Sequence, residues 1–409
     1  MTELINRPEY LNQLIQNKDI DLIKIVTGLR RCGKSSLLDL FHQYLLDYNV
    51  PNNNIIHMNM ESLKYRELTD YLSFYDYVSA LIPSTGKTYL IFDELQVIEH
   101  WEKAIESFRL DYDVDIYITG SNAYLLSSEL STFLSGRYVE IRMLPLSFKE
   151  FLSFYKFEEA ITMDEKFQKY VQFGGMPVLS EFQFNEVRAS QALEGIYSTV
   201  IIRDILRRNN QVDQNTLHKI IRFLCSNIGS ITSPNNIGNV LSTEGDIPSS
   251  KGRNIAGRTV DKYIAMLRNA YFFYTVERYD VKGKQLLKTL GKHYIVDTGF
   301  RNLLLGYRND DRGHILENIV FLELLRRDYH VYIGKIGDKE VDFIAEKLND
   351  KLYIQVTESI QSPQTREREL RPLQVINDNY EKIILSMDRD FITSYDGIKS
   401  INLIDWLLS

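Results

Sequence analysis

The stretch "IKIVTGLRRCGKSSLLDLF", residues 23–41, decides how this chain folds. Leu22 to Val26 is an apolar run interrupted by Lys24, which suits a buried strand. Leu37, Leu38, Phe41, Tyr44 and Leu45 recur at helical spacing. Between them Gly28 and Gly33 enclose four residues and precede Lys34 and Ser35, the G-x-x-x-x-G-K-[ST] spacing of a phosphate-binding loop. Glycine allows the backbone to wrap an anion closely, because it accepts positive φ and carries no side chain. The following helix start offers unpaired N–H groups and the positive end of its dipole. The nucleotide-contacting set expected here is Gly28, Arg31, Cys32, Gly33, Lys34, Ser35 and Ser36. Lys34 reaches the β- and γ-oxygens of ATP, and Ser35 helps to hold Mg²⁺.

The chain has 409 residues, 44% of them hydrophobic and 25% charged, which allows two to four ordinary globular domains. No apolar stretch is long enough to cross a bilayer. The opening "MTELINRPEYLNQLIQ" also lacks the basic start and apolar centre of a secretion signal, so a cytoplasmic protein is expected. Two cysteines, Cys32 and Cys225, exclude a disulfide framework or a cysteine-rich zinc site. Cys225 has the spacing of a helix core, while Cys32 lies in the phosphate loop, where oxidation is conceivable. The net charge of −7 argues against a protein that coats nucleic acid, although basic residues concentrate between positions 251 and 292.

A phosphate loop needs a second group for the metal and a base for the attacking water. "TYLIFDELQ" supplies both: the apolar run Tyr89 to Phe92 ends in Asp93, expected on Mg²⁺, and Glu94, expected to polarise water. "DIYITGSN" ends as a third strand in Ser121 and Asn122, either of which suits a γ-phosphate sensor. Arg137, before "YVEIRML", is the candidate arginine for charge on the transferring phosphoryl group, from the same chain or a neighbouring copy. The expected catalytic set is thus Lys34, Glu94, Ser121 and Arg137, with Ser35 and Asp93 as metal ligands. Strand runs near residues 23, 55, 89, 115 and 138, separated by helices, predict an α/β fold with a parallel sheet.

The segments "GLRRCGKSSLL", "IFDELQVIEHWEKAI", "ITGSNAYLL", "LSGRYVEIRMLPLSFKEF", "FGGMP", "YSTVIIRDIL" and "GKHYIVDTGF" together resemble a prokaryotic family of AAA+-like P-loop ATPases. Members carry a winged-helix segment and a C-terminal restriction-endonuclease-like domain. The resemblance spans nearly the whole chain and implies an ATPase domain at 1–160, a helical connector at 161–211, a winged-helix module at 212–304 and a nuclease-like domain at 305–409.

In the middle segment Leu217, Ile220, Ile221, Leu224, Cys225 and Ile228 form one apolar stripe, and Val260, Tyr263, Ile264 and Leu267 another. "YFFYTVERYD" and "VKGKQLLKTLGKHYIVD" follow as a hairpin, read as the wing. Arg258, Lys262, Lys284 and Lys288 are the candidate DNA contacts, with Arg268, Lys282 and Lys292 beside them. A protein-contacting lid is the alternative. In the last segment, the resemblance implies a second Mg²⁺ site at Glu317, Asp342 and Gln355. The position that would carry its water-orienting lysine holds Thr357, so cleavage is expected to be weak or absent. The leading expectation is a Mg²⁺-dependent ATPase whose cycle drives a winged-helix module and an impaired nuclease-like domain, acting on or near DNA. The alternatives are an ATP-controlled DNA nuclease and a nucleotide-switched protein-interaction ATPase, acting with a protein partner or as a homo-oligomer.

Overall fold

The computed structural model describes residues 5–123, 136–209, 212–243, 256–308, 312–389 and 392–409. The chain forms two compact units. One comprises Met1–Met143 with Asn269–Tyr271, and the other Leu144–Arg268 with Phe272–Ser409.

In the first unit, strands β1 (Ile23–Thr27), β2 (Ile55–Asn59), β3 (Thr88–Asp93), β4 (Val114–Gly120) and β5 (Tyr138–Arg142) form one sheet in the order β2-β3-β4-β1-β5. Every pairing is parallel, as the sequence predicts. β1 and β3 are buried along their whole lengths, which is why they read as continuous apolar runs. Lys24 is tolerated inside β1 because its ammonium meets Asp115 of β4 at 2.5 Å and the Ile20 carbonyl at 2.7 Å. One face of the sheet packs with Phe74 and Phe108 of the helices Tyr71–Ser79 and Trp101–Asp111, both rings within 6.4 Å of Phe92. Because all five strands run the same way, the ends of β1, β2, β3 and β4 gather at one edge. β4 lies between β3 and β1, so the expected sensor strand separates the two nucleotide strands.

Near the start of the second unit, the Ser147 side chain and Glu150 form a reciprocal cap on the helix Phe148–Phe154. Helices Met163–Phe173, Glu186–Thr199, Gln214–Ser226, Pro234–Thr243 and Gly257–Asn269 follow. The rest is built on an eight-stranded mixed sheet of β6 (Phe273–Asp280), β7 (Gln285–Ile295), β8 (His330–Ile336), β9 (Lys339–Lys347), β10 (Asp350–Val356), β11 (Glu381–Ser386), β12 (Ser394–Tyr395) and β13 (Ile398–Asn402). Their order is β12-β13-β11-β10-β9-β8-β6-β7.

This order joins elements from both sides of residue 304 in one sheet. The hairpin read as a free wing is the edge of the second sheet: β6 pairs in parallel with β8, Arg278 opposite Ile333. Burial supplies the reason. Phe273, Val276, Tyr294 and Ile295 are all buried, and Tyr294 stacks on Phe321 of the helix Arg312–Arg326 with ring centroids 4.5 Å apart. Among the described residues, no helix is long and apolar enough to cross a membrane.

Candidate functional site

The turn after β1 adopts the conformation its glycines permit. Gly28 has φ +146° and Gly33 φ +108°, and a Cβ on Gly28 would lie 2.1 Å from the Met143 carbonyl oxygen. Arg31 also takes a positive φ, at +64°, with its side chain exposed. The helix Lys34–Asp47 starts directly after Gly33, so its first N–H groups face the loop. Lys34 is buried, and its ammonium donates to the carbonyls of Gly28 and Leu29, both at 3.1 Å. These bonds close the loop on itself through the same group that phosphate oxygens would claim. Ser35 and Ser36 are exposed on the first turn.

At the end of β3, Asp93 accepts from Asn59 of β2 at 2.7 Å and from the Thr119 hydroxyl of β4. Burial pushes its carboxyl above the usual carboxylate range, against the pull of hydrogen bonds from Thr119 and Ser35. A buried acid touching a hydroxyl at the helix start is a hard-oxygen pair suited to Mg²⁺, and an added cation would favour its ionised form. The residues present therefore fit the expected metal.

Glu94 follows in the left-handed region, φ +54°, with its amide held by Thr119 Oγ1 at 2.9 Å. That turn aims its carboxylate away from the strand. Oε2 accepts from the Ser121 hydroxyl at 3.1 Å and from Gln96, while Oε1 lies 3.9 Å from the Lys34 ammonium. Lys34, Ser35, Asp93, Glu94 and Ser121 are thus brought to one place.

Two expectations change. Arg137 precedes β5 and pairs with Glu106, and its carbonyl accepts from Ile23 at the start of β1. It lies at the opposite sheet edge, roughly 16 Å of strand from the phosphate loop, too far to serve that loop within its own chain. The Cys32 thiol is buried against the Met143 carbonyl, and burial raises its pKa, so its part in the loop is its backbone and not a reactive thiolate. Arg30, in the same loop, reaches the Ser121 hydroxyl at 3.5 Å and Glu61 at 3.1 Å.

Sequence reasoning missed Thr119, Asn59 and Arg7. The first two are polar residues at the carboxyl ends of β4 and β2, which is a readable signal in a parallel sheet. Arg7 is buried and donates to the Cys32 carbonyl at 3.0 Å, a contact that no local pattern announces.

In the second unit, Glu317 and Asp342 do meet, but around a lysine. The Lys292 ammonium lies 2.7 Å from Glu317, 2.8 Å from Glu340 and 3.7 Å from Asp342. Lys292 is therefore not a surface residue of a wing. Burial and the neighbouring Glu317 push Asp342 up to about 8, whereas at Glu317 burial is outweighed by the Lys292 charge and by hydrogen bonds from His314 and Tyr294, which hold its carboxyl low. Gln355 is held by two bonds of its own, donating to Glu369 at 2.9 Å and accepting from the Asp342 amide at 3.4 Å. The Thr357 hydroxyl approaches the Ser359 carbonyl at 3.5 Å. Among the described residues no group of three or more His, Cys, Asp or Glu is disposed to hold a metal ion. Glu317, Asp342 and Gln355 thus do not fit the expected second Mg²⁺.

The DNA candidates Arg258 and Lys262 are exposed on the helix Gly257–Asn269, and Lys284 is exposed in the β6–β7 turn. The Lys288 side chain lies outside the described residues.

Comparison with known proteins gives two family matches. An AAA domain matches residues 21–152, and a domain of unknown function matches 164–311. An uncharacterized protein of Haemophilus influenzae is 40% identical over 407 residues, 99% of either chain. The uncharacterized protein MJ1544 of Methanocaldococcus jannaschii is 28% identical over 407 residues, 95% of this chain and 85% of its own. Among solved structures, the Walker-type ATPase paby2304 of Pyrococcus abyssi aligns with a TM-score of 0.51 at 15% identity, over 73% of this chain and 95% of that one, a likeness of fold. The first unit has the P-loop ATPase fold.

Proposed function

We propose that this chain, which belongs to the same family as the Haemophilus influenzae protein and carries an AAA domain, is a Mg²⁺-dependent ATP-hydrolysing enzyme. The observation that carries the reading is the convergence of Lys34, Ser35, Asp93, Glu94 and Ser121 at one sheet edge. Backbone N–H groups of the loop and helix start bind the phosphates, and Lys34 exchanges the Gly28 and Leu29 carbonyls for phosphate oxygens. Mg²⁺ held by Ser35 and Asp93 offsets charge on the β- and γ-phosphates. Glu94, turned out of the strand, accepts a hydrogen bond from the attacking water and orients it. Ser121, joined to both Glu94 and Arg30, reports the state of the γ-phosphate to the loop.

Lys34→Ala is expected to weaken ATP binding, and Glu94→Gln to retain binding while hydrolysis falls by on the order of 100-fold or more. Phosphate release together with nucleotide titration measures both. Parental turnover in Glu94→Gln removes Glu94 as the water-orienting group. The exposed Arg258, Lys262 and Lys284 support contact with DNA phosphates as a subsidiary reading, tested by the same turnover assay with and without duplex at two salt concentrations. Indifference to DNA leaves them as solvated charges.

A further inference from the structure

Beyond the ATP site, the chemistry of the second unit turns on what cation its carboxylates hold. Lys292 comes from β7, Glu317 from the helix Arg312–Arg326, and Glu340 and Asp342 from β9. The lysine side chain is 4% exposed, and Glu317 is 7% exposed. Two further donors are committed to this arrangement. Tyr294 donates its hydroxyl to the same Glu317 oxygen that takes the ammonium, at 2.5 Å, and the Val356 amide donates to Asp342 Oδ2 at 2.9 Å. The other Glu317 oxygen faces His314 Nδ1 at 3.6 Å. Gly229 also closes on this side: a Cβ there would lie 2.9 Å from His314 Nδ1 and 3.1 Å from Glu317 Oε2. Its strand neighbours hold it in place, since the Gly229 amide donates to the His293 carbonyl and Thr232 bridges to Gly291.

A divalent ion on Glu317 and Asp342 would need oxygen ligands at about 2.0–2.6 Å, depending on whether Mg²⁺ or Ca²⁺ is held. The ammonium stands within hydrogen-bonding reach of Glu317 and Glu340 and beside Asp342, which is where that ion would have to go. A lysine that orients water in a metal-dependent hydrolase stands beside the metal. Lys292 instead stands among the acids themselves.

We propose that the Lys292 ammonium is the permanent cation of this carboxylate cluster, so that the second unit binds no divalent metal there and performs no metal-dependent phosphodiester hydrolysis. The cluster then joins β7, β9 and the helix Arg312–Arg326 into a fixed element.

The test uses the full chain without nucleotide, titrated with Mn²⁺ and read by electron paramagnetic resonance, with thermal unfolding followed at each Mn²⁺ concentration. Native protein and Asp342→Asn are expected to bind Mn²⁺ identically, with no site that depends on Asp342. Lys292→Ala is expected to gain one Mn²⁺ site, and its unfolding midpoint to rise with Mn²⁺ as binding to the folded state requires. Restoration of folding by Mn²⁺, should this variant be unfolded without it, is the same gain. An Asp342-dependent Mn²⁺ site in the native protein, or Asp342-dependent cleavage of DNA, overturns the proposal. So does a folded Lys292→Ala that binds no additional Mn²⁺. ATP turnover by the Lys34 and Glu94 variants reads the first unit alone, so neither result decides the other.

Discussion

Replacing Thr119 by valine removes one hydroxyl and changes the shape of the side chain little. That hydroxyl holds the two acids of the nucleotide site at once, donating to Asp93 and accepting from the Glu94 amide at 2.9 Å. Thr119 is fully buried, so water does not replace it. An orphaned buried N–H costs about 1–3 kcal/mol, and a lost hydrogen bond to a charged group about 1.5–3 kcal/mol. Glu94 also sits at φ +54°, a conformation that a non-glycine residue keeps only when neighbours enforce it. Thr119→Val should therefore lower stability by about 2 kcal/mol and release the Glu94 turn. If about 1.5–3 kcal/mol of that positioning is lost from the transition state, turnover falls roughly 10- to 100-fold. Lys34 and the loop glycines are untouched, so ATP affinity should stay near the parental value, and Thr119→Ser should restore most of the rate. Steady-state phosphate release, fluorescent-nucleotide titration and urea unfolding read the three quantities separately. Parental turnover and stability in Thr119→Val would refute the claim that this hydroxyl organises the site.

Two further outcomes follow from buried charge. Lys24→Ala strands Asp115 in the first sheet, leaving it the Tyr117 hydroxyl and the Asp19 amide, and should cost about 3–5 kcal/mol in urea unfolding. A loss under 1 kcal/mol would mean that water reaches the site. His293 is buried near Arg268, and burial with that charge lowers its pKa to about 4. The folded state thus favours neutral imidazole. Its contribution is fully present above the unfolded pKa of about 6.5 and is lost as pH falls toward 4, about 3 kcal/mol in all. Urea midpoints at pH 7 and 5 should fall less steeply in His293→Gln than in the native chain, and parallel slopes would contradict this.

Much of the nucleotide site was readable because its information is local. Gly28, Gly33, Lys34 and Ser35 occupy one turn, and Asp93 and Glu94 end one apolar run. Thr119 and Asn59 act through strand neighbours: Asn59 stands opposite Asp93 in the β2–β3 register, and β4 is inserted beside β3. That register is not written in either strand alone. The distance of Arg137 from the loop of its own chain was readable on physical grounds, which leaves the neighbouring copy as the other expected recipient. In a parallel sheet the ligand edge lies at the carboxyl ends of the strands, and Arg137 precedes its strand. Arg142, in register with Thr27 just before the loop, is the β5 arginine at the correct edge.

The hairpin at 273–295 shows where local pattern stops being decisive. An aromatic strand followed by spaced lysines describes a basic wing and a sheet edge equally well. One feature separated them in advance: Tyr294, Ile295 and Val296 are three consecutive apolar residues, and all are buried. A hairpin exposed on one face alternates, whereas an unbroken apolar run belongs to a strand covered on both faces. Once β7 is covered, a lysine on it cannot remain solvated, and burial without a partner would cost several kcal/mol. Lys292 must therefore meet carboxylates, and the acids available lie on β9 and the helix Arg312–Arg326. The lysine that stood beside the DNA candidates in the sequence is thereby committed to the interior.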